Sequence, residues 1–455
     1  MSDTIAAIAG GAGRSAIGIV RLSGDGAIGI ADRAFRPLKG SPLALRQSRR
    51  LVLGDALAED GRVMDRCLAV ISRGPDSYTG EDTAEFQCHG SPTLLAALLR
   101  RLFELGARQA LPGEFTKRAF LNGRLDLTQA EAVVDLIDAE TEQGLFNAAA
   151  QLGGAVSRRT DAAYRSLAEA SAHFHAVIDY PDDETEPFEN EKLAAVLSAA
   201  ENELEKLVKS FDRGRILKQG VPCALLGRPN AGKSSLLNAL LGYDRAIVTA
   251  EEGTTRDVIE EKLVLGDVLL RLKDTAGLRG ADGEAERQGV RRALEAAASS
   301  RLVIAVFDGS RPFSREDAEV AEAAVKAEKS VAVVNKLDLG TSELPEGLFS
   351  GFGAVLRVSA LTGEGLERLE EHISGLFPPG DGADGETLTN ERQRDAVARA
   401  LASLRRAKQA LDRGMTPDAV LTDSEEAMAA LGELSGRTVK EDIINTVFSR
   451  FCVGK

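Results

Sequence analysis

Lys233 and Ser234 close the run Gly227-Arg228-Pro229-Asn230-Ala231-Gly232-Lys233-Ser234. This run fits G-x-x-x-x-G-K-[ST], the loop that wraps nucleotide phosphates. Its glycines free backbone N–H groups to point inward at the phosphates, and a following helix N-terminus adds positive potential. Lys233 is placed to reach the β/γ-phosphates and the Ser234 hydroxyl to sit on Mg²⁺, with Ser235 next in line. Asp274-Thr275-Ala276-Gly277 follows an apolar stretch, Val268 to Leu272. An aspartate at a strand end holds Mg²⁺ through water, and the glycine N–H contacts the γ-phosphate. Asn335-Lys336-Leu337-Asp338 ends the run Val331 to Val334. A carboxylate at Asp338 accepts from N1–H and the exocyclic amine of guanine. Adenine lacks that donor pair and would leave the carboxylate unpaired, so GTP is favoured over ATP. Ser359-Ala360-Leu361 lies where a backbone N–H meets the guanine O6.

Between these motifs, Gly253-Thr254-Thr255-Arg256-Asp257 supplies a threonine, Thr255, whose hydroxyl joins the Mg²⁺ shell when GTP is bound; a helix cap or turn is the alternative. Leu278 stands where small signalling GTPases carry a glutamine that orients water. An apolar side chain cannot orient water. Asn230 offers a side-chain oxygen for a monovalent cation beside the phosphates, where the charge would act as an arginine finger does. Hydrolysis is therefore expected to need K⁺ and pairing of nucleotide domains.

These residues need a strand before the loop (Val221 to Leu226) and a helix after it (Ser235 to Leu241). The chain has 455 residues, and a prior of ~150 per domain suggests about three domains. Texture divides it into four segments. Residues 1–118 alternate short apolar runs (Ala16 to Leu22, Arg66 to Ser72, Thr83 to Phe86) with helix-like Leu94 to Leu105, as in a small α+β domain. Residues 119–216 are helical by period, with Leu193, Leu197, Ala200, Leu204, Val208 and Phe211 on one face. Residues 217–378 alternate strands and helices, as in a doubly wound parallel sheet. Residues 379–455 return to helical period, with Val397, Leu401, Leu404 and Leu411 on one stripe. The expected fold class is therefore multidomain α+β and α/β. A Ras-like doubly wound G domain is inserted into a helical domain, or else stands between two separate helical domains.

Hydrophobic residues make up 44% and charged residues 28%, and net charge is −14, which argues against a general polyanion binder held by bulk electrostatics. No stretch of 18 apolar residues and no basic signal region occurs, so no membrane span is expected. Cys67, Cys88, Cys223 and Cys452 lie far apart with neither C-x-x-C spacing nor a disulfide framework, which suits a reducing cytoplasm. Gly11-Ala12-Gly13-Arg14-Ser15-Ala16 mimics a flavin-binding G-x-G-x-x-A. The run Ala16 to Leu22 reads as a strand, however, where that motif should open a helix.

Over nearly its whole length the sequence resembles the MnmE (TrmE) family of tRNA uridine-modifying GTPases. The resemblance is carried by Gly227 through Leu240, Gly253 to Asp257, and the terminal Phe451-Cys452-Val453-Gly454-Lys455. Gly18-Ile19-Val20-Arg21-Leu22-Ser23-Gly24, Tyr78-Thr79-Gly80-Glu81-Asp82, Pro112-Gly113-Glu114-Phe115 and Ala119-Phe120-Leu121-Asn122 support it. It implies a homodimer built through N-terminal domains that bind 5-formyltetrahydrofolate or a relative. Arg21, Glu85, Arg124 and Lys455 occupy the matching positions. Arg124 stands where lysine is expected, which keeps the charge but replaces a point ammonium with a planar fork. The resemblance also implies a K⁺ loop of Asn230, Thr249, Glu251 and Thr254 within Thr249-Ala250-Glu251-Glu252-Gly253-Thr254-Thr255. Glu286 matches a water-orienting glutamate, and Cys452 is functionally required near the folate. The implied activity is installation, with an FAD-dependent MnmG protein, of a carboxymethylaminomethyl group at C5 of the wobble uridine (U34) of tRNA. The alternative is a ribosome-assembly GTPase, although no basic run or recognised RNA-binding pattern appears outside the G domain. Prenylation at Cys452 is disfavoured, because Gly454 is not aliphatic and Lys455 is a poor final residue.

Overall fold

The computed structural model describes residues 3–11, 13–179, 189–242, 261–273, 297–340, 342–345, 347–378, 386–438, 441–449 and 451–454. Chain contacts divide it into two units: Met1–Ile137 with Ala149–Val208 and Arg392–Lys455, and Asp138–Ala148 with Lys209–Glu391.

The first unit is built on a seven-stranded sheet. Its strands are β1 (Ile5–Ile8), β2 (Ser15–Ser23), β3 (Phe35–Pro37), β4 (Val52–Leu57), β5 (Val63–Ser72), β6 (Thr83–Gly90) and β7 (Arg108–Gln109), in spatial order β3-β4-β5-β6-β2-β1-β7. All pairings are antiparallel except β1 with β7. Alternation sends Ala69 and Ile71 of β5 and Ala84 and Phe86 of β6 into one core, against α1 (Ala27–Ala34) and α2 (Pro92–Glu104). The register of Leu68 with Gln87 sets Cys67 beside Cys88, and the two thiols hydrogen-bond. Two cysteines far apart in sequence are thus neighbours. With Asp65 they bring three potential ligand atoms within 4.8 Å of one another, although both thiols are packed in the core.

The same unit continues through α3 (Glu114–Leu121), α4 (Leu127–Ile137), the end of α5 (Glu142–Leu152), α6 (Ala155–Asp179) and α7 (Asn190–Gln219) as far as residue 208. The apolar face of α7 buries Leu193, Leu197, Ala200, Leu204 and Phe211. It passes through Leu207, and the expected Val208 is only half-buried. A regular 3.6-residue helix reaches the same face from either neighbour, and packing decides which.

The second unit centres on a six-stranded sheet of β8 (Val221–Leu226), β9 (Glu261–Leu265), β10 (Val268–Leu272), β11 (Leu302–Asp308), β12 (Lys329–Asn335) and β13 (Ala354–Arg357). Their order is β13-β12-β11-β8-β10-β9. The sheet is parallel apart from β9, which pairs antiparallel with β10 through the tight turn at Gly266. It is doubly wound. Ile304 and Val306 of β11 pack with Leu236, Leu237 and Leu240 of α8 (Lys233–Gly242). Val303, Ala305 and Phe307 face the opposite side, toward Ala321 and Ala324 of α9 (Arg315–Ala324). Leu369 and Ile373 of α10 (Leu366–Leu376) join the first of these faces.

The chain then re-enters the first unit as α11 (Glu391–Asp412), α12 (Pro417–Ser435) and α13 (Glu441–Phe448). Val397, Leu401 and Leu404 of α11 are buried, while Leu411 is half-buried and Ala410 takes the inward position. Glu131 of α4 accepts two hydrogen bonds from Arg392, at 2.7 and 2.8 Å, and one from Gln393 at 2.8 Å. Phe448 and Phe451 pack on Leu127 and Ala130. The helical pieces before and after the α/β unit thus bury their stripes on one another. No described helix is long and apolar enough to cross a membrane.

Candidate functional site: a phosphate loop braced by a guanine motif

The C-terminal edge of β8 delivers the chain into the glycine loop. Gly227 has φ +152°, and a Cβ there would lie 2.4 Å from the Val306 carbonyl oxygen. Gly232 has φ +93°, and a Cβ there would meet Asn335 Nδ2 at 2.2 Å. Asn230 itself is left-handed at φ 62°. Only residues without a Cβ fit the two glycine positions, so the backbone forms a concave cradle of the kind phosphates occupy.

Three long-range braces hold the cradle. Asn335 donates from Nδ2 to the Ala231 carbonyl (3.2 Å), and its Oδ1 accepts from the Ala360 N–H (3.0 Å). Lys336 donates to the Asn230 carbonyl and to Asp308 Oδ2, each at 2.7 Å. Arg228 donates to Ser314 Oγ (3.1 Å) and pairs with the buried Asp317 (2.9 Å), which ties the loop to the capped start of α9. Burial disfavours the charge of Asp308. Hydrogen bonds from Lys336 and Ser310 outweigh that, and its carboxyl is held below the usual carboxylate range. Arg228, Asp308 and Asp317 carry no motif. An acidic residue at the end of an apolar run, Leu302 to Phe307, is the one signal that could have pointed to Asp308.

Lys233 Nζ folds back onto the carbonyls of Gly227 (2.7 Å) and Arg228 (2.8 Å). Burial lowers its pKa, and an anion in the cradle acts in the opposite direction, favouring the ammonium. Ser234 and Ser235 are exposed on the first turn of α8. Asp338 is exposed beyond β12, and its Oδ1 accepts from Ser359 Oγ at 2.5 Å. Asn335 and Lys336 therefore bond the loop that holds Asn230, Ala231, Gly232 and Lys233, while Ala360 bonds Asn335 and Ser359 bonds Asp338. Thr249, Ala250, Glu251, Glu252, Gly253, Thr254, Thr255, Asp274, Thr275, Ala276, Gly277 and Glu286 lie outside the described residues.

In the first unit, Arg21 Nε donates to Glu85 Oε1 at 2.6 Å, and the guanidinium stacks over Tyr78 and Phe115, 5.7 Å from each ring centre. Arg124 runs past Gly80, two residues from Tyr78. The Cys452 carbonyl accepts from the Gly113 N–H at 3.3 Å and Val453 bridges Pro112, so the exposed Cys452 is held beside the turn that opens α3. Lys455 lies outside the described residues.

The family described as the MnmE helical domain matches residues 127–452, and the one described as the GTP-binding protein TrmE N-terminus matches 4–124. The tRNA modification GTPase MnmE of Symbiobacterium thermophilum is 45% identical over 457 residues, covering 100% of this chain and 99% of that one. Its namesake in Roseiflexus sp. (strain RS-1) is 43% identical over 467 residues with the same coverage. That of Geobacter sulfurreducens is 40% identical over 460 residues, with both chains fully covered. Among solved structures, the G domain of the T. maritima FeoB iron transporter is 27% identical, covering 35% of this chain and 99% of that one, at a TM-score of 0.26. A braced phosphate cradle, a TrmE N-terminal domain and a helical domain resumed after the α/β unit, all matched end to end, place this chain in the MnmE (TrmE) family.

Proposed function

We propose that this chain is a GTP-hydrolysing enzyme of tRNA modification. The observation that carries the reading is the bracing of the Gly227–Lys233 cradle by Asn335 and Lys336, two residues before Asp338, in a chain that matches tRNA modification GTPases over their whole length. Asp338 accepts from guanine N1–H and the exocyclic amine, while Asn335 and Lys336 hold the loop rigid. Lys233 leaves the Gly227 and Arg228 carbonyls for the β/γ-phosphates. Glycine at 232 leaves room for the backbone to approach them. Ser234 is the described residue that would hold Mg²⁺, with Thr255, and the ion neutralises developing phosphate charge when bound. The domain division is 1–118, 119–216, 217–378 and 379–455.

The finer reading adds K⁺ at Asn230, Thr249, Glu251 and Thr254, and a hydrolytic water oriented by Glu286. A 5-formyltetrahydrofolate or relative lies on Arg21, Glu85, Arg124 and Lys455, with Cys452 beside it. The chain acts as a cytoplasmic homodimer with the FAD-dependent MnmG protein to place carboxymethylaminomethyl at C5 of U34. GTP hydrolysis then drives conformational cycling.

Mass spectrometry of tRNA nucleosides from cells lacking the protein tests the reading. Loss of C5 aminomethyl-type uridines, restored by wild type and not by Cys452→Ser, supports it. Unchanged uridines overturn it in favour of a ribosome-assembly role. An equal hydrolysis rate in K⁺ and Na⁺ removes the cation.

A further inference from the structure

Carboxylates exceed cationic side chains in this protein, 70 to 56. Any polyanionic partner must therefore meet a local surface of opposite sign. The segment Arg46-Gln47-Ser48-Arg49-Arg50 is a local basic cluster, and the fold of the first unit adds Lys39 and Arg73 to it.

Lys39, Arg46, Arg49, Arg50 and Arg73 lie together on the connection between β3 and β4 and at the end of β5. Arg73 donates to the Arg46 carbonyl (3.0 Å) and the Ala44 carbonyl (2.7 Å), and its backbone N–H to Ser48 Oγ (2.9 Å). The Arg49 N–H bonds the Ile71 carbonyl at 2.7 Å, and its Nε the Asp76 carbonyl at 3.1 Å. Arg46 reaches the Ser41 carbonyl at 3.0 Å and also that of Lys39. All five are exposed except the half-buried Arg46.

The partners of these arginines decide what the surface can do. Arg46, Arg49 and Arg73 bond carbonyl oxygens, which fix the direction of a guanidinium without cancelling its charge. The carboxylate of Asp76, 76% exposed, lies 3.8 Å from Arg49. Several other cations of the protein are neutralised. Arg36 and Arg66 share Asp55, and Arg62 pairs with Asp60. On α11, Arg392, Arg399, Arg405 and Arg406 all pair with carboxylates. Arg49 also adopts φ 63°, a left-handed conformation that residues other than glycine rarely take. The loop holds that conformation with its charge facing water.

We infer that this arginine surface docks the phosphodiester backbone of the tRNA substrate. Planar forks already oriented by carbonyls match pairs of phosphate oxygens. An excess of positive charge over the single exposed carboxylate of Asp76, on an acidic protein, favours a polyanion that releases counterions. The inference rests on the tRNA reading given above.

The test is binding of an unmodified tRNA transcript to the full-length protein between about 50 and 200 mM salt. Variants are Arg49→Gln/Arg50→Gln/Arg73→Gln, the corresponding triple lysine variant, and Lys39→Gln/Arg50→Gln, whose residues do not tie the loop together. GTP hydrolysis and oligomeric state are measured alongside. Loss of about three phosphate contacts lowers the slope of log Kd against log salt by roughly 2 to 3 in the triple glutamine variant. The double variant loses about two-thirds of that, and the lysine variant retains binding. GTP hydrolysis without tRNA is unchanged throughout. Wild-type binding that the glutamine variants share undiminished overturns the surface and leaves the tRNA reading intact. Binding lost together with a changed oligomeric state also overturns it, since the arginines then build an interface between copies. Absence of tRNA binding by the wild type overturns the tRNA reading itself.

Discussion

Lys336 Nζ lies 2.7 Å from Asp308 Oδ2 and 2.7 Å from the Asn230 carbonyl oxygen, so one ammonium joins the end of β11 to the crest of the phosphate loop. The Asp308 side chain is 5% exposed, and Ser310 caps it through both its N–H (3.0 Å) and its hydroxyl (2.6 Å). The Asn335–Asp338 motif is thereby a mechanical support of the loop, in addition to the base-reading role proposed for it.

Asp308→Ala is expected to weaken GTP binding with little change in the base preferred. Removing a charge-assisted hydrogen bond of about 1.5–3 kcal/mol frees Lys336 and loosens Asn230. That corresponds to roughly ten- to a hundredfold in Kd. Titration of GTP and of a non-guanine nucleotide separates this from a loss of selectivity. The pH dependence has a fixed sign. The folded-state pKa of Asp308 lies below its usual 3.8, so its stabilising contribution is present above that value and is lost as pH falls below it.

Asp338→Asn is expected to exchange guanine for xanthine. The amide replaces an acceptor with a donor, which leaves the guanine amine without a partner and suits a carbonyl at that ring position. Ser359, whose hydroxyl holds Asp338 at 2.5 Å, bonds the amide oxygen equally well, so the loop persists. A loss of at least tenfold for GTP with a gain for XTP, each read by competition with a fluorescent nucleotide, checks the assignment. Unchanged selectivity removes Asp338 from base recognition.

What the sequence made legible was local in the chain. The cradle is one continuous run, and Gly227, Gly232 and Lys233 announce themselves because the loop admits few other residue types. Asp308 shows no such signature, since any acidic residue at a strand end looks alike until the fold brings Lys336 to it from 28 positions away. Leu207 replaced Val208 on the α7 face because helical period alone leaves two adjacent residues equivalent there. The pairing of Cys67 with Cys88 and the approach of Arg73 to the Arg46–Arg50 cluster depend on strand register and loop packing, which no spacing rule encodes. The antiparallel edge strand β9 escaped notice for the same reason.

Arg118→Ala is expected to destabilise the first unit. Arg118 is 8% exposed and bonds Glu81 (3.0 Å), Glu114 (3.0 Å) and Asp3 (2.7 Å). Its loss leaves Glu81 without a cation, held by the Ser23 hydroxyl alone, while Glu114 keeps Arg108. Leaving a buried charge without its partner costs about 3–5 kcal/mol. A lower denaturant midpoint measures it, with Arg118→Lys falling between the two. Burial pushes the Glu114 carboxyl upward, but Arg108, the Leu111 N–H and Arg118 outweigh it and hold it below its usual 4.5. The stabilisation is therefore full above that pH and declines as pH falls below it, and the Arg118 variant shows a shallower acid limb.

The four thiols are expected to separate cleanly in native alkylation. Cys67, Cys88 and Cys223 are buried, while Cys452 is exposed. Alkylation needs the thiolate and access to it. The hydrogen bond with Cys67 and burial both drive the pKa of Cys88 upward, and burial alone does so for Cys223. Iodoacetamide at neutral pH should thus label one thiol quickly and three only after denaturation, and Cys452→Ser should remove the fast phase while leaving the slow one. The same variant tests the tail's role without disturbing the backbone bonds that seat it, because the Gly113 N–H donates to the carbonyl of residue 452, which serine keeps. A fast phase that survives Cys452→Ser would mean that β5 and β6 open on the timescale of labelling, and that the core around Phe86 is looser than its burial implies.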